Sequence, residues 1–407
     1  MDTLQDILEM GQRAERCIEI ERFQLLENHQ KELRHFTQGE AINYLLTNRN
    51  TLTRYCKSAG VKHNRFEGAK WLIDINDIYH LRDEMRAGGT FNIPKFIRQP
   101  HQQCHVIPFV NQKGGCTKTT NTLQVSTSLA VTYHEQYRVA VIDMDPQGTI
   151  SDYLVPARDD KDVRDTIFSV TDMLLGNYTL EEGETIKDVV SNAFLDTTIP
   201  NLKVLPASDM DRKFESKMLK RIKDGEVDNP YALLDKMISL VKDEYDFIFI
   251  DTAPALNFSV YNALFAATGL IIPVKPTNND FNATMRWLQR LPDSFAMMSE
   301  YQEKKGYDFI RFLISDHDGK DTANEITRKL NNVFGHRVYS TELKSSEAIM
   351  TCHKDLNSIF EISKSEYPKT SKVSFANSVT NGEAVTEQIV KSGRDVWYQQ
   401  DLEYQNG

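Results

Sequence analysis

A loop that contains glycine and two lysines follows an apolar run of strand length. Val106–Val110 leads into residues 111–120, NQKGGCTKTT, and a stretch compatible with a helix comes next. Glycine lets backbone N–H groups turn toward phosphate oxygens, and the start of the following helix adds the positive end of its dipole. Lys118 would supply a point charge and Thr119 a hydroxyl for Mg²⁺. The order of strand, loop and helix therefore predicts a phosphate-binding loop.

This loop departs from the common form GxxxxGK[ST] in two ways. Gln112 and Thr117 stand where that form has glycine, and Lys113 adds a second cation ahead of Lys118. A second lysine is hard to explain inside a single phosphate site. A Gly-Gly-Lys sequence by itself is also compatible with an ordinary turn.

Carboxylates follow two other apolar runs. Val139–Ile142 is followed by Asp143 and then Asp145, and Phe247–Ile250 ends in Asp251, which is the Walker B pattern. The carboxyl ends of parallel strands form the ligand-binding edge of an open α/β sheet, so we expect these side chains near the phosphates. Asp251 would reach the Mg²⁺ shell through water, although a lone aspartate after a strand is also typical of caps and turns. We expect the strand before Asp143 to lie directly beside the strand of the phosphate loop.

The elements that must position these residues alternate along the chain. Six apolar runs of strand length are separated by longer stretches compatible with helices, and they span 106–110, 139–142, 202–205, 247–250, 270–274 and 309–314. Near-continuous Val, Ile, Leu and Phe runs are typical of strands covered on both faces, and alternation with helices implies parallel pairing through right-handed crossovers. The pattern predicts an α/β fold with a doubly wound, mostly parallel sheet.

Together, these motifs resemble those of the ParA/MinD family of P-loop ATPases. KGGxxKT at 113–119 is similar to the deviant Walker A motif of that family, and DMDPQG at 143–148 is similar to its DxDPQG element. The resemblance implies a P-loop NTPase fold that binds ATP and Mg²⁺. It also implies that Lys113 reaches across an ATP-sandwich dimer to the phosphates of the partner subunit, and that Asp145 orients the attacking water.

The same resemblance assigns the other residues of the site. Pro276 would lie near the base and ribose, where this chain also has Ser315-Asp316-His317 in place of an asparagine that is frequent in the family. The ATP-binding residues would be Lys113, Gly114, Gly115, Cys116, Thr117, Lys118, Thr119, Thr120 and Pro276. The catalytic residues would be Lys113, Lys118 and Asp145, and the metal would be held by Thr119, Asp145 and Asp251.

A basic segment lies ahead of the α/β part. Residues 41–73 contain six Lys and Arg residues and one acid, Glu67, in a chain whose formal net charge is −10. Residues 40–47 and 50–59 are typical of two short helices around a turn, and 65–73 is typical of a hairpin. This order predicts a winged helix-turn-helix. Its DNA-binding residues would be Thr51, Thr53, Arg54 and Lys57 in the major groove and Lys70 near phosphates. A basic, solvated module that binds protein is the alternative.

We expect three parts of the chain. They are an amino-terminal helix (1–38), the winged helix-turn-helix domain (39–100) and the ATPase domain (101–407). The last boundary lies near 87–100, where glycines and prolines break any helix and the sequence offers little to bury. In the first part, Leu4, Gly11, Ile18 and Leu25 have heptad spacing, which fits either a helix packed on its own domain or a dimer seam.

Composition excludes several classes of protein. Of the 407 residues, 40% are hydrophobic and 26% are charged, and no run approaches the ~18 apolar residues of a membrane span. Five scattered cysteines without a CxxC pair fit neither a disulfide framework nor a zinc site. The acidic start is unlike a signal peptide, and the acidic residues at 395–404 would be repelled by anionic lipid. We expect a cytoplasmic protein without membrane contact, and the family resemblance adds association with the nucleoid.

The resemblance to large ParA proteins implies a DNA-partitioning ATPase. Such a homodimer would form on ATP, bind DNA without sequence preference, hydrolyse ATP when a ParB-like partner stimulates it, and repress its own operon through the amino-terminal domain. Arg328 and Lys329 are the candidates for non-specific DNA contact, although solvated helix faces explain the same charges equally well. A nucleotide-responsive repressor with vestigial hydrolysis and a filament-forming scaffold would share these motifs.

Overall fold

Strands and helices alternate along most of the chain. The computed structural model describes residues 5, 7–14, 16, 17, 31–63, 71–155, 167–301 and 306–406. The strands are β1 (His35–Thr37), β2 (Leu72–Asp74), β3 (His105–Phe109), β4 (Val139–Met144), β5 (Leu195–Asp196), β6 (Leu202–Leu205), β7 (Phe247–Thr252), β8 (Gly269–Val274), β9 (Phe309–His317) and β10 (Leu343–Lys344). The helices are α1 (Gln38–Tyr44), α2 (Arg49–Ser58), α3 (Ile75–Ala87), α4 (Lys118–Thr132), α5 (Thr149–Leu154), α6 (Val170–Leu175), α7 (Ile186–Ala193), α8 (Phe214–Lys223), α9 (Leu233–Val241), α10 (Phe258–Ala266), α11 (Asn278–Tyr301), α12 (Asp321–Phe334), α13 (Glu347–Lys354) and α14 (Lys372–Asn406).

The large sheet has the order β10-β9-β8-β3-β7-β4-β6-β5. Its neighbouring strands are parallel except for β5 with β6, and all six predicted apolar runs form strands in it. Alternate side chains of a strand point to opposite faces, yet every residue of β7 is buried, so the sheet is covered on both sides there. The α/β class with a doubly wound, mostly parallel sheet is confirmed.

β7 lies between β3 and β4, so our expectation that β3 and β4 are direct neighbours is wrong. Apolar runs identify buried strands, but the packing of the crossover helices decides the order in which the strands pair. The register of β7 places Asp251 opposite Phe109 on one side and Asp143 on the other. Asp251 therefore occupies the middle of the carboxyl edge, between the phosphate loop and Asp143.

In the amino-terminal segment a short strand precedes two short helices, and a second strand and a third helix follow them. α1 begins at a capping box, because the Thr37 hydroxyl accepts from the Glu40 N–H while the Glu40 carboxylate accepts from the Thr37 N–H. Asn48 caps α2, because its side-chain oxygen accepts from the Thr51 N–H at 3.0 Å. β1 pairs antiparallel with β2, and α3 follows. We call residues 35–87 the helix-turn-helix segment after the predicted motif, and its interpretation as a winged DNA-binding domain stays a prediction.

The predicted wing falls largely on residues 64–70, which are outside the described residues and include Lys70. At its two ends, the Leu72 N–H donates to the His63 carbonyl oxygen at 2.8 Å, and the His63 and Trp71 rings stack with centroids 5.4 Å apart. His63 and Trp71, which are described, therefore lie side by side.

The helix-turn-helix segment packs on the carboxyl end of α4, the helix that follows the phosphate loop. The Tyr44 hydroxyl donates to the carbonyl oxygen of Val131. The Tyr79 hydroxyl donates to the carbonyl oxygen of Ala130 at 2.6 Å. Arg82 is buried between these tyrosines, with its guanidinium 4.2 Å from the centroid of the Tyr79 ring. Cations and hydroxyl donors are favourable at this helix end, where carbonyl groups lack partners within the helix.

The segment between the two parts is also packed. Phe91 is buried, and the Phe96 ring stacks on Trp397 of α14 with centroids 4.6 Å apart. The Trp397 indole N–H donates to the Gln103 carbonyl oxygen at 2.8 Å. Most of residues 87–100 are exposed, as expected, but Phe91 and Phe96 pack against the core that the α/β part shares, which we did not expect.

Part of the amino-terminal helix is described, and residues 7–14 are helical. Ile7, Leu8 and Met10 are exposed within this chain. Three of the heptad positions, Leu4, Ile18 and Leu25, lie outside the described residues, so the prediction of a dimer seam stays a prediction. No helix within the described ranges is both long enough and apolar enough to cross a bilayer.

Candidate nucleotide-binding site

The loop between β3 and α4 turns through two residues in the left-handed region. Gly115 has φ +74°, and Thr117 has φ +66° where common phosphate loops have glycine. Among the described residues, no side-chain hydrogen bond caps the amino terminus of α4. The N–H groups of its first turn lack carbonyl partners within the helix, and the helix dipole adds partial positive charge. The loop and the helix end therefore form a cradle for an anion.

The ammonium group of Lys118 is buried beside this cradle. The residue is 6% exposed, and its Nζ lies 4.0 Å from the Cys116 sulfur. Burial raises the pKa of the Cys116 thiol, so the sulfur is a neutral neighbour. Lys118 forms no ion pair with the carboxylates of the described residues. A buried ammonium is unfavourable without a counter-ion, and a bound phosphate would provide one.

Asp251 reaches the same place from the end of β7. The Thr119 hydroxyl donates to Asp251 Oδ2 at 2.7 Å, and Asp251 Oδ1 is buried with no hydrogen-bond partner among the described residues. Burial raises the pKa of Asp251 to about 7, against the lowering effects of the Thr119 hydrogen bond and the Lys118 charge. The orphaned oxygen is a position for a water or a cation.

The donor set fits Mg²⁺ rather than a cation held by protein ligands alone. No three His, Cys, Asp or Glu side chains converge as a metal cage in the part of the chain that the structure describes. Mg²⁺ commonly keeps several waters and takes its other ligands from nucleotide phosphates and one or two carboxylates. The Thr119 hydroxyl and the Asp145 and Asp251 carboxylates could complete such a shell.

Asp143 and Asp145 have different environments. Asp143 is buried and accepts hydrogen bonds from the Ser151 N–H at 3.1 Å, the Ser151 hydroxyl at 2.6 Å and the Asp145 N–H at 3.1 Å. Burial and then the charge of Asp251 raise the pKa of Asp143 well above its usual value. Asp145 is half-buried, and its Oδ1 accepts from the Gln147 N–H at 3.0 Å. Asp143 therefore holds the loop after β4, and Asp145 is the more accessible carboxylate.

Lys113 lies in the loop ahead of Gly114, which is exposed. Lys113 is half-buried, and its N–H donates to Asn111 Oδ1 at 3.1 Å. Within the described residues its Nζ makes no hydrogen bond and no ion pair. Thr120, which completes the predicted loop, is half-buried in the first turn of α4.

Pro276 is buried just after the end of β8. The neighbouring Lys275 Nζ lies 2.5 Å from Asp316 Oδ2, and this interaction raises the pKa of Lys275. Asp316 has φ +56° in the segment after Ile314. The two segments that the family resemblance places near the base are thus joined by an ion pair.

Two buried asparagines were missed by the sequence reasoning. Asn121 Nδ2 lies 3.0 Å from Thr117 Oγ1 and 2.8 Å from Ser315 Oγ. Asn111 Nδ2 donates to the Pro273 carbonyl oxygen at 2.8 Å. The sequence did contain a signal for both residues. Each is a polar side chain within or next to an apolar element, and a buried polar group needs hydrogen-bond partners.

The DNA-binding candidates of the helix-turn-helix segment share one side of α2. Leu52 and Cys56 are buried on the other side of this helix. Exposed or half-buried on α2 are Thr51, Thr53, Arg54 and Lys57.

Arg328 and Lys329 are both exposed on α12. Lys329 Nζ lies 2.7 Å from Glu325 Oε1, one turn earlier on the same helix. Such a surface pair contributes little to stability, and its lysine is partly neutralised as a phosphate contact.

Comparison with known proteins assigns the family. The model of the AAA domain family matches residues 104–293, which contain the loop, Asp145 and Asp251. The chromosome-partitioning ATPase Soj of Treponema pallidum (strain Nichols) is 30% identical over 244 residues, which are 59% of this chain and 84% of the relative. The chain belongs to the ParA-like family of P-loop ATPases. This ParA-like chain is a partition ATPase, as the resemblance of its motifs predicts.

Two further similarities cover more of this ParA-like ATPase. The plasmid partition protein A of Escherichia coli is 25% identical over 329 residues, 78% of this chain and 75% of the relative. A solved structure described as a partition protein superposes with a TM-score of 0.64 at 21% identity, covering 95% of this chain and 99% of that one. The fold of this ParA-like chain is therefore shared over nearly its whole length.

The raised pKa of Asp251 predicts a gain of stability when its charge is removed. Its pKa is about 7 in the folded chain, above the ordinary aspartate value, so folding is disfavoured as pH rises through that range. We expect Asp251→Asn to raise the Tm of the ligand-free ATPase by several degrees near pH 8, and by much less near pH 4. Differential scanning fluorimetry across this pH range checks it.

Asp188→Asn is the matched control. Asp188 is an exposed helix-cap carboxylate whose pKa is lowered by hydrogen bonds from Thr185, so its loss should not stabilise the fold. A lower Tm for Asp251→Asn than for the unmodified protein near pH 8 would contradict the electrostatic account of the site.

Proposed function

We propose that this chain is an ATP-driven DNA-partitioning switch whose ATP and Mg²⁺ bind at the carboxyl edge of β3, β7 and β4. Two buried groups at this edge carry the proposal. The Lys118 ammonium has no ion-pair partner, and one carboxylate oxygen of Asp251 has no hydrogen bond. Both absences hold for the described residues. A magnesium triphosphate supplies the anion for the first and the cation for the second.

Each residue of the site has a distinct proposed role. Lys118 and the N–H groups at the start of α4 bind phosphate oxygens. The Thr119 hydroxyl and the Asp251 carboxylate would hold Mg²⁺. When bound, Mg·ATP supplies a terminal phosphoryl group that water can attack, with the metal stabilising the developing charge. Asp145 orients that water, because it is the accessible carboxylate next to Asp251.

ATP should also join two copies of the chain. Lys113 extends from the phosphate loop and lacks an ion-pair partner within the described residues, so we propose that it contacts the phosphates bound by the partner subunit. The proposed unit is thus a homodimer that closes on ATP and opens after hydrolysis.

Lys113→Ala should separate binding from dimerisation. We expect the variant to bind ATP with nearly unchanged affinity as a monomer, to lose dimerisation with a non-hydrolysable ATP analogue, and to hydrolyse ATP about 100-fold more slowly or worse. Analytical ultracentrifugation with the analogue and a phosphate-release assay measure these effects. If Lys113→Ala forms the same analogue-dependent dimer and turns over like the unmodified protein, the role of this lysine is refuted.

Asp145→Ala should trap the ATP state. Loss of a group that orients the attacking water lowers hydrolysis by about 100-fold or more, while ATP and Mg²⁺ remain bound through other residues. We expect the variant to stay on DNA after ATP addition in a binding assay in which the unmodified protein dissociates with time. If Asp145→Ala hydrolyses ATP as fast as the unmodified protein, the proposed role of Asp145 in orienting water is refuted.

DNA is the proposed partner of two separate surfaces. In the ATP state, Lys and Arg residues such as Arg328 and Lys329 would contact phosphates without sequence preference, which implies a steep salt dependence. A ParB-like partner would stimulate hydrolysis and release. The exposed side of α2 would bind the operator of the chain's own operon, and the protein would be cytoplasmic and nucleoid-associated.

Operator binding is tested with the full chain in the presence of ADP. We expect tighter binding to the cognate promoter than to random DNA at moderate salt, and about 10-fold weaker promoter binding for Arg54→Ala and Lys57→Ala. Arg328→Ala is the control, because it lies on another helix and should leave the promoter preference intact. Equal binding of promoter and random DNA by the unmodified protein would refute the operator role.

A nucleotide-responsive repressor with vestigial hydrolysis is the second candidate. The hydroxyl contacts of Tyr44 and Tyr79 with the end of α4 favour it, because they connect the helix-turn-helix segment to the helix of the phosphate loop. Phosphate release in the presence of DNA and a ParB-like partner separates the two functions. Stimulated release supports the partition switch, and its absence supports the repressor.

A further inference from the structure

Thr117 has a backbone conformation that its side chain does not favour. Its φ of +66° and ψ of +24° lie in the left-handed region, which β-branched residues rarely adopt and glycine adopts freely. The residue is the N-cap of α4 and directly precedes Lys118, the first residue of that helix. This conformation therefore determines where the ammonium and the first N–H groups of α4 point.

Hydrogen bonds hold the Thr117 side chain on both sides. Its hydroxyl donates to the Cys116 carbonyl oxygen at 2.5 Å and accepts from Asn121 Nδ2 at 3.0 Å. Asn121 is one turn further along α4 and is completely buried. The amide of Asn121 thus ties the left-handed residue to the rigid helix that follows it.

Asn121 is itself fixed by the neighbouring strand. Ser315, a buried residue of β9, has its Oγ 2.8 Å from Asn121 Nδ2 and 3.1 Å from Asn121 Oδ1. Both hydrogens of the Asn121 amide therefore have acceptors, one on each side. Ser315 is followed by Asp316, which pairs with Lys275.

We propose that Asn121 is a positioning residue that holds Thr117 in the left-handed conformation and so keeps the phosphate cradle formed. A glycine at position 117 would adopt this conformation without such support. Ser315 fixes the orientation of the Asn121 amide. The inference rests on the proposed nucleotide site, because the cradle has this role only if phosphate binds there. Asn121 acts through Thr117 and Lys118 and does not itself contact phosphate.

A double-mutant cycle with Thr117→Gly tests the inference. Isothermal titration calorimetry would measure the binding affinity for ATP with Mg²⁺, and separately for inorganic tripolyphosphate. The proteins compared are the unmodified protein, Asn121→Ala, Thr117→Gly and the double variant. We expect Asn121→Ala to weaken the binding of both ligands by a similar factor of about 10, which corresponds to the loss of one buried hydrogen bond. In the Thr117→Gly background, Asn121→Ala should weaken the binding of both ligands less than about twofold, because the hydroxyl that Asn121 holds is absent.

Saturating ATP provides a second readout. Because the cradle is restored once ligand is bound, Asn121→Ala should raise KM far more than it lowers kcat. Asn331→Ala is the matched control, as Asn331 is an exposed helical asparagine whose amide donates to the Thr327 carbonyl oxygen. If Asn121→Ala does not fold, Asn121→Ser keeps a polar atom in place but is too short to reach Thr117, and it replaces alanine in the cycle.

Two results would overturn the positioning role. One is an equal loss of affinity from Asn121→Ala in both backgrounds, which would mean that Asn121 acts independently of Thr117. The other is a loss of affinity for ATP without a loss of affinity for tripolyphosphate, which would mean that Asn121 affects the binding of the adenine base or the ribose and not of the phosphates. If the unmodified protein binds neither ligand, the proposed nucleotide site itself is refuted and this inference falls with it.

Discussion

The burial of an ammonium and a carboxylate at one edge of the sheet is the constraint on which the rest of the structure depends. Lys118 enters from the first turn of α4 and Asp251 from the end of β7, so rigid elements hold both side chains away from water. Within the described residues, the Lys118 ammonium forms no ion pair and one Asp251 oxygen has no hydrogen bond. Groups in this state are unfavourable for folding and are typical of sites that a charged ligand completes.

One helix connects this constraint to the amino-terminal segment. α4 has 15 residues, with the phosphate cradle at its first turn and the hydroxyls of Tyr44 and Tyr79 at its last carbonyl groups. The two parts of the chain also share a core through the aromatic residues of the connecting segment. A partition ATPase that also reads DNA through its amino-terminal segment would thus have a continuous packed route between the two sites.

The local chemistry of the site could be read from the sequence, whereas its long-range support could not. The apolar runs before the loop and before Asp251 are long and uniform, so strands and motifs followed directly from them. The position of β7 between β3 and β4 depends on how the crossovers pack, and no single run encodes it. The contact of Asn121 with Ser315 joins residues 194 positions apart, so it too depends on the assembled sheet.

The amino-terminal segment illustrates the same division. The polar caps of α1 and α2 are local, and the sequence located both helices to within a few residues. The packing of Phe91 and Phe96 was missed, because glycine and proline spacing indicates breaks in helices but does not indicate whether the aromatic residues between them are buried. The DNA-binding role of α2 and the wing remains a prediction, since exposed basic residues alone do not identify their partner.

Calorimetric titration of Mg·ATP into the unmodified protein and into Lys118→Ala tests the central claim most directly. Exposed Lys223→Ala, at the end of α8, controls for the loss of a positive charge. The account predicts saturable binding for the unmodified protein and for Lys223→Ala, and no detectable binding for a folded Lys118→Ala. Equal binding by all three proteins would contradict it.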